Sequence, residues 1–373
     1  MESMSSYRPN ILALKFRRII CVDLAKSKTL TIGLGVVLER AFKPLTQPME
    51  IWKGKMSKVF IHESAILRKR DFNYVEVNPQ APSTWVSSRI PLDGVLKDFS
   101  NTLLRLESTN HCNFACSFCP HPTMERKKGF MDEKTIHQIL DEAGKMGFKM
   151  LDLRNFGEPI MDKRLAQFAT HARSQGFSKI YIHTNGHLLN SKRLDEWGEG
   201  GISEVNLSLS PRREFSETRP GINVEKFFKN IEDLVNSKPK HLSILNVDYI
   251  NTGLSSDEEI TEFTDWLTQL GIEKRMDIAL HNWAVGEEQS HYFCHRLWSS
   301  ITVLWNGEVS LCCLDYEGDY KLGYLGAESK ETLSSIINSD VYVEIRNNHL
   351  KGKFLEKCKS CDMPRNKDHI KSQ

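Results

Sequence analysis

Short segments of alternating hydrophobic and polar residues recur between residues 99 and 281, and longer stretches with a helical period separate them. The strand-type alternation occupies residues 103–108, 150–155, 179–184, 204–210, 242–249 and 276–281. The helical period occupies residues 132–146, 163–175, 191–198, 224–236 and 256–270. Strands that alternate with helices at this spacing predict a parallel β-sheet covered by helices.

The predicted strands have one apolar face and one polar face. Leu151 and Leu153, for example, oppose Asp152 and Arg154. A complete eight-stranded barrel fills its interior with branched apolar side chains, so the polar faces favour an open, incomplete barrel with a polar ligand in its lumen. A water-exposed face of an antiparallel sheet is the alternative, but the intervening helices argue against it. The candidate lumen residues for substrate binding or proton transfer are Arg105, Asp152, Arg154, Tyr181, His183, Asp277 and His281.

A loop with three cysteines follows the first predicted strand. Cys112, Cys116 and Cys119 have C-x3-C-x2-C spacing, which lets one short loop surround a single inorganic centre. A closed structural zinc site needs four ligands. An iron-sulfur cube also needs four, so a cluster on three thiolates would leave one iron open to an exogenous ligand. A zinc knuckle or a set of unrelated buried thiols remains the alternative.

A second group of cysteines appears after residue 281, where the alternation of strands and helices stops. Asn306-Gly307 between two apolar segments predicts a β-hairpin, and residues 331–350 have a helical pattern. A second, closed centre would take four thiolates from this group: Cys294, one of the adjacent hairpin cysteines Cys312 and Cys313, and the pair Cys358 and Cys361. Zinc would satisfy four thiolates as well as an iron-sulfur cluster would.

Composition excludes several classes of protein. The 373 residues are 40% hydrophobic and 26% charged with a net charge of +2, which is typical of a soluble globular protein and shows no bias towards nucleic acid. Nine cysteines are too few for a disulfide scaffold, and their clustering suits metal, so we expect a reducing cytoplasm. The apolar segment 30–38 is too short to span a bilayer, and no signal-peptide cleavage pattern follows it.

The N-terminal extension, residues 1–98, is the least informative region. An apolar and basic segment at residues 11–26 could contact a membrane surface, although packing against the main domain is the usual fate of such a pattern. Pro79, Pro82 and Pro91 predict a linker. The predicted domains are therefore this extension, a barrel at residues 99–288 and a small α+β domain at residues 289–373.

The stretch from Leu104 to Pro120 resembles the radical S-adenosylmethionine (SAM) enzymes, in the cysteine spacing, in Asn113 and in the aromatic residue before the third cysteine. Asn155-Phe156-Gly157-Glu158-Pro159 resembles the family's "GGE"-type turn, although only one glycine precedes the glutamate. Thr184-Asn185-Gly186 resembles a further family turn, and Ser208 lies where relatives contact the SAM carboxylate or ribose. The resemblance implies a partial (β/α)6 TIM-like barrel that binds a 4Fe-4S cluster and SAM, with cofactor-binding residues Phe118, Gly157, Glu158, Pro159, Asn185 and Ser208.

The C-terminal cysteines resemble the SPASM/twitch extensions of these enzymes, which carry auxiliary 4Fe-4S clusters. Five cysteines, two of them adjacent, suit one such cluster rather than two. Cys312 follows Gly307 in the family's "G-x-V-x-x-C" manner, which makes it the expected ligand. Cys313 would then point to the opposite face of its strand.

The resemblance implies an oxidoreductase that cleaves SAM reductively and abstracts hydrogen from a polar small molecule such as a sugar, aminocyclitol or nucleotide sugar, with oxidation as the expected outcome. An external donor such as flavodoxin or ferredoxin would supply the electron, and no nucleic acid is expected as a partner. Two alternatives stay open. The chain could be a radical SAM maturase that modifies a peptide or protein, or a non-catalytic iron-sulfur or zinc-binding protein.

Overall fold

The structure is a computed structural model. It describes residues 93–236, 244–272, 275–288 and 294–363, together with the backbone of four strands between residues 58 and 91. The segments 11–26 and 30–38, Pro79 and Pro82 lie outside the described residues. Among the described helices, none combines the length and the apolar character that crossing a bilayer requires.

The four strands of the N-terminal extension form an antiparallel sheet that the sequence pattern did not reveal. They are β1 (Lys58–His62), β2 (Ala65–Arg68), β3 (Tyr74–Val77) and β4 (Ser88–Pro91), paired in that order. Pro91, expected in a linker, is instead the last residue of β4 and lies opposite Tyr74. This position tolerates proline because β4 is at the edge of its sheet.

Six parallel strands form the main sheet, as the alternation predicts. They are β5 (Leu103–Leu106), β6 (Met150–Asp152), β7 (Lys179–Thr184), β8 (Glu204–Ser208), β9 (Ile244–Asn251) and β10 (Arg275–Ala279). Each strand pairs with the next one along the chain. The sheet does not close on itself, which confirms the expected partial barrel.

Helices connect these strands and cover the outer face of the sheet. They are α1 (Glu133–Met146), α2 (Leu165–Ser174), α3 (Ser191–Glu199), α4 (Arg212–Thr218), α5 (Val224–Asn236) and α6 (Asp257–Gln269). Asp132 caps α1, and Ser256 with Glu259 forms a capping box on α6, so the side chains that flank the helical pattern define these starts. The short α4 is additional to the predicted helices.

The C-terminal segment extends the same sheet. Strand β11 (Ser300–Val303) pairs in parallel with β5 and in antiparallel with β12 (Glu308–Ser310), and β13 (Lys321–Tyr324) forms the edge. The predicted domains 99–288 and 289–373 therefore share one nine-stranded sheet.

Four short helices complete this segment: α7 (Arg296–Ser299), α8 (Leu333–Ile337), α9 (Asp340–Leu350) and α10 (Glu356–Ser360). The prediction of one helix at 331–350 is wrong. Ser339 accepts a hydrogen bond from the Tyr342 N–H and starts α9 as a separate helix.

The two faces of the barrel strands differ as expected. Leu104, Leu151 and Ile180 are fully buried in the main apolar core with the helices. On the opposite face, Leu103, Met150 and Tyr181 form a separate apolar cluster near the strand starts. Side chains two residues further along β5 and β6, Arg105 and Asp152, lie on that same inner face. The lumen is thus apolar at its amino-terminal end and polar above it.

Candidate active site and cluster-binding sites

The three-cysteine loop is anchored by a buried glutamate just after β5. Glu107 accepts two hydrogen bonds from Arg126, at 2.7 and 3.0 Å, and one from the Phe156 N–H at 3.1 Å. Within the loop, the Cys119 N–H donates to the Cys116 carbonyl at 3.1 Å. Glu107 therefore ties the base of the loop to the turn after β6.

Burial of the loop cysteines disfavours their thiolate forms. It raises the pKa of Cys112 to about 12 and that of Cys119 to about 11, and it also raises the pKa of Cys116. Such thiols deprotonate readily only when a cation stabilises the thiolate, and coordination to a metal centre does this. The donor set fits a thiolate-ligated cluster.

Gly157 lets the turn after β6 lie against the cysteine loop. Its φ of +100° is in the region that favours glycine, and a Cβ atom there would lie 2.7 Å from the Asn110 backbone. The next residue, Glu158, donates its N–H to the His111 carbonyl at 2.7 Å. The backbone of this turn is therefore held at the edge of the loop, and Pro159 continues it into a short 3₁₀ helix.

The Glu158 carboxylate points away from solvent and joins two turns. It accepts hydrogen bonds from Thr184 Oγ1 at 2.6 Å and from the Asn185 N–H at 2.7 Å. Burial nevertheless raises the pKa of Glu158 to about 7. Its side chain fixes the turn after β7 relative to the turn after β6.

The remaining expected cofactor-binding residues lie around the same loop. Asn185 Nδ2 donates to Asn113 Oδ1 at 2.9 Å. Ser208, at the end of β8, accepts a long hydrogen bond of 3.4 Å from Arg219. The Arg219 guanidinium lies 5.1 Å from the centre of the Phe118 ring. The structure thus brings all six together at the carboxyl-terminal edge of the strands.

Arg219 is a site residue that the sequence did not indicate. It is 2% exposed and donates a hydrogen bond to Ser210 Oγ at 3.0 Å. Its positive charge partly offsets the effect of burial on the pKa of Cys116. Burial lowers its pKa. Arg219 immediately follows α4, and no motif or spacing in the sequence marks it.

The second group of cysteines surrounds a small cavity. The cysteines that line it are Cys294, Cys312, Cys358 and Cys361. Apolar side chains, among them Leu297, Leu311 and Phe354, form much of the remaining wall. Burial raises the pKa of all four thiols, that of Cys361 to about 12. The arrangement fits a second thiolate-ligated centre.

Cys313 does not line this cavity. Its Sγ accepts a hydrogen bond from Arg296 Nη1 at 3.0 Å. Burial alone would raise the pKa of Cys313, but the charges of Arg296, Arg105 and Arg154 outweigh it and lower the pKa. Cys312 and Cys313 thus face different environments.

The lumen contains two groups of ionisable side chains. Asp152 Oδ2 lies 3.1 Å from Arg105 Nη2 and 3.6 Å from Arg154 Nε. His183 Nδ1 lies 2.5 Å from Asp248 Oδ2. Several buried atoms have no hydrogen-bond partner within the described part of the chain: Arg105 Nε, Asp152 Oδ1, His183 Nε2, Asn206 Oδ1, Asp248 Oδ1 and Thr302 Oγ1. These atoms can receive a polar ligand.

The other lumen candidates lie apart from these two groups. Tyr181 belongs to the apolar cluster with Leu103 and Met150, and burial raises its pKa. Asp277 forms an ion pair with Arg275, with 2.7 Å between Asp277 Oδ1 and Arg275 Nε. His281 Nδ1 lies 3.5 Å from Asp362 Oδ1. Asp248 is a missed residue, although its position between Val247 and Tyr249 in a predicted strand marks it as a polar inward residue.

No three His, Cys, Asp or Glu side chains within the described ranges are grouped closely enough to hold a single metal ion. A 4Fe-4S cube is wider than one ion, so its ligand sulfurs stand farther apart than those of a zinc site with bonds of about 2.3 Å. One loop brings the thiols together at the first site, and one cavity does so at the second.

Known proteins share both parts of this arrangement. A family model described as "Radical SAM superfamily" matches residues 106–267, and the SPASM model, described as "Iron-sulfur cluster-binding domain", matches residues 294–362. A GTP 3',8-cyclase of Mannheimia succiniciproducens is 28% identical over 179 residues, which cover 46% of this chain and 51% of that protein. The chain therefore spans about half the length of the curated relatives it matches.

Two solved structures share the fold at low sequence identity. Native anSMEcpe with bound AdoMet is 14% identical with a TM-score of 0.52, covering 72% of this chain and 88% of that chain. Streptococcus suis SuiB bound to S-adenosylmethionine is 16% identical with a TM-score of 0.51, covering 68% and 69%. The chain belongs to the radical SAM superfamily with a C-terminal SPASM domain, and its cofactors are a catalytic 4Fe-4S cluster, an auxiliary 4Fe-4S cluster and SAM.

Proposed function

We propose that this enzyme abstracts a hydrogen atom from a polar, hydroxyl-bearing small molecule in the barrel lumen and oxidises it. The observation that carries the proposal is the buried His183–Asp248 pair, in which His183 Nε2 has no hydrogen-bond partner among the described residues. When bound, the cofactors supply a 5'-deoxyadenosyl radical from SAM and an acceptor for one electron. The chain supplies the binding site, the proton acceptor and the exclusion of water.

The residues that would hold the cofactors are those gathered at the two sites. We assign Cys112, Cys116 and Cys119 to the catalytic cluster, and the four cysteines of the C-terminal cavity to the auxiliary cluster. Gly157 allows the backbone to approach SAM, and Glu158, Pro159 and Asn185 fix the surrounding turns. Arg219, beside Phe118 and Ser208, offers a buried positive charge to the SAM carboxylate.

His183 would accept the hydroxyl proton of the substrate at Nε2. Asp248 holds Nδ1, which orients the ring and directs Nε2 towards the substrate. In the overall reaction an alcohol becomes a carbonyl compound and loses two hydrogens, one to 5'-deoxyadenosine and one as the proton to His183. SAM is the two-electron oxidant and ends as methionine and 5'-deoxyadenosine. An external donor such as flavodoxin or ferredoxin would provide the initial electron, and a reducing cytoplasm suits the thiolate ligands.

A small substrate is favoured over a peptide by the name of the GTP 3',8-cyclase relatives, which specifies a nucleotide. Native anSMEcpe has also been solved with a bound peptide, so a peptide substrate is the second candidate. Deuterium-labelled substrates of the two classes distinguish these candidates.

The test uses the reconstituted enzyme with dithionite, SAM and two sets of substrates. One set holds sugars, aminocyclitols and nucleotide sugars deuterated at their carbinol carbons, and the other holds deuterated peptides. We expect one class to raise 5'-deoxyadenosine formation, to transfer deuterium into it and to yield a carbonyl product. His183→Gln should keep the deuterium transfer but lower the yield of oxidised product about 10²-fold or more. Deuterium transfer from labelled peptides alone, or a product isomeric with its substrate, would contradict the proposal.

A further inference from the structure

The segment that follows β10 has an unusual backbone. Trp283 and Ala284 have φ values of +54° and +59°, in the left-handed region that residues other than glycine rarely adopt. Two consecutive residues in this conformation cost free energy, so the surrounding contacts must hold them there. Strained positions of this kind concentrate at functional sites.

On one side, this segment binds the residues that flank Cys361. The Asn282 N–H donates to Asp362 Oδ2 at 3.1 Å, and Asn282 Nδ2 donates to the Ser360 carbonyl at 2.6 Å. Ser360 Oγ in turn donates to the Ala284 carbonyl at 2.7 Å. Because Ser360 and Asp362 lie directly before and after Cys361, the segment is fixed to the loop of the auxiliary centre.

On the other side, the same segment reaches the catalytic loop. Trp283 Nε1 donates to the Phe118 carbonyl at 3.0 Å, and Phe118 directly precedes Cys119. The Trp283 ring also contacts Phe156, in the turn that approaches SAM, at 5.7 Å between ring centres. Phe118 lies beneath the Arg219 guanidinium, so this hydrogen bond acts close to the expected SAM carboxylate position.

We propose that Trp283 is a positioning residue that couples the two cluster sites. With the auxiliary loop closed around its cluster, Asn282 and Ala284 are held, and the indole N–H fixes Phe118 and the turn that carries Cys119. SAM binding at the catalytic site is then tighter when the auxiliary site is filled. Loss of the auxiliary cluster weakens SAM binding through Trp283 and not through a general loss of stability.

A double-mutant cycle on the reconstituted enzyme tests this coupling. The variants are Trp283→Phe, which removes the N–H but keeps a ring, Cys294→Ala, which removes an auxiliary ligand, and the two combined. SAM affinity is measured by titrating the EPR signal of the reduced catalytic cluster, and iron is counted in each sample. We expect each single change to weaken SAM binding about 5-fold, and the combination to weaken it by little more than either alone.

Trp266→Phe is the matched control. Its indole N–H also makes one side-chain hydrogen bond, to Glu232 at 3.1 Å, but on the outer helices, so SAM affinity should not change. If the Trp283→Phe variant loses catalytic iron, the Asn282→Ala variant takes its place in the cycle. Asn282→Ala removes the side-chain hydrogen bond to Ser360 beside the auxiliary centre and leaves the Trp283 indole intact. Unchanged SAM affinity and EPR signal in the Trp283 variant, or single effects that multiply in the combination, would overturn the proposal.

Discussion

The two cysteine sites of this chain differ in how the sequence builds them. The proposed catalytic site takes its three thiols from one short loop, and polar groups such as Glu158 and Arg219 surround it. The auxiliary site takes four thiols from residues spread between 294 and 361, and apolar side chains line much of its cavity. Three ligands leave room for an exogenous molecule, whereas four ligands in an apolar wall complete a closed centre. This difference supports the proposal that the first site is catalytic and that the second encloses an auxiliary cluster.

The strongest test removes one site and keeps the other. Replacing Cys112, Cys116 and Cys119 together with Ala should abolish SAM cleavage and remove about half of the roughly eight iron atoms per chain. Iron analysis and 5'-deoxyadenosine measurement after anaerobic reconstitution check this. Full retention of iron in the triple variant, or stoichiometric zinc in the wild type, would contradict the two-cluster assignment.

The adjacent cysteines Cys312 and Cys313 provide a matched pair at the auxiliary site. Cys312 lines the cavity, whereas Cys313 does not line it and accepts a hydrogen bond from Arg296. Cys312→Ala should therefore lose about four iron atoms, and Cys313→Ala should keep them. If the two iron counts are reversed, Cys313 is the ligand and the hairpin register is shifted by one residue.

Sequence patterns predicted the strands and the first cysteine site, because these features depend on residues that are close together in the sequence. The strand alternation indicated β5 to β10, and the cysteine spacing alone marked the first site. Contacts between distant residues were not predictable in this way. Asp248 lies 65 residues from its partner His183, and Arg219 follows a short helix that carries no motif.

The role of Glu158 shows a further limit of the sequence. The motif identified the turn but left the function of its carboxylate open. The structure shows that this carboxylate holds the turn after β7 by two short hydrogen bonds. The pairing of β11 with β5 was equally invisible, because parallel pairing over almost 200 residues leaves no local pattern.

Substitution of Gly157 tests whether the close approach of the turn after β6 to the cysteine loop stabilises the fold. Gly157→Ala would place a Cβ atom 2.7 Å from the Asn110 backbone at a φ of +100°, so we expect a loss of about 3 kcal/mol in the free energy of unfolding. Gly147→Ala is the control, because Gly147 has a similar φ of +93° but open space around it. It should lose only about 1 kcal/mol. Urea unfolding of the cofactor-free protein measures both, and equal losses would show that the close approach is unimportant.

The buried carboxyl of Glu158 gives the first site a dependence on pH that can be measured without cofactors. Burial raises its pKa in the folded state from 4.5 to about 7. Between these values the unfolded chain has lost the proton while the folded chain retains it, so the free energy of unfolding falls as the pH rises. The contribution amounts to about 3 kcal/mol, fully lost above pH 7. Glu158→Gln cannot titrate, so urea midpoints at pH 5 and pH 8 should change less in the variant than in the wild type. Identical pH profiles would show that the folded carboxyl ionises as it does in the unfolded chain.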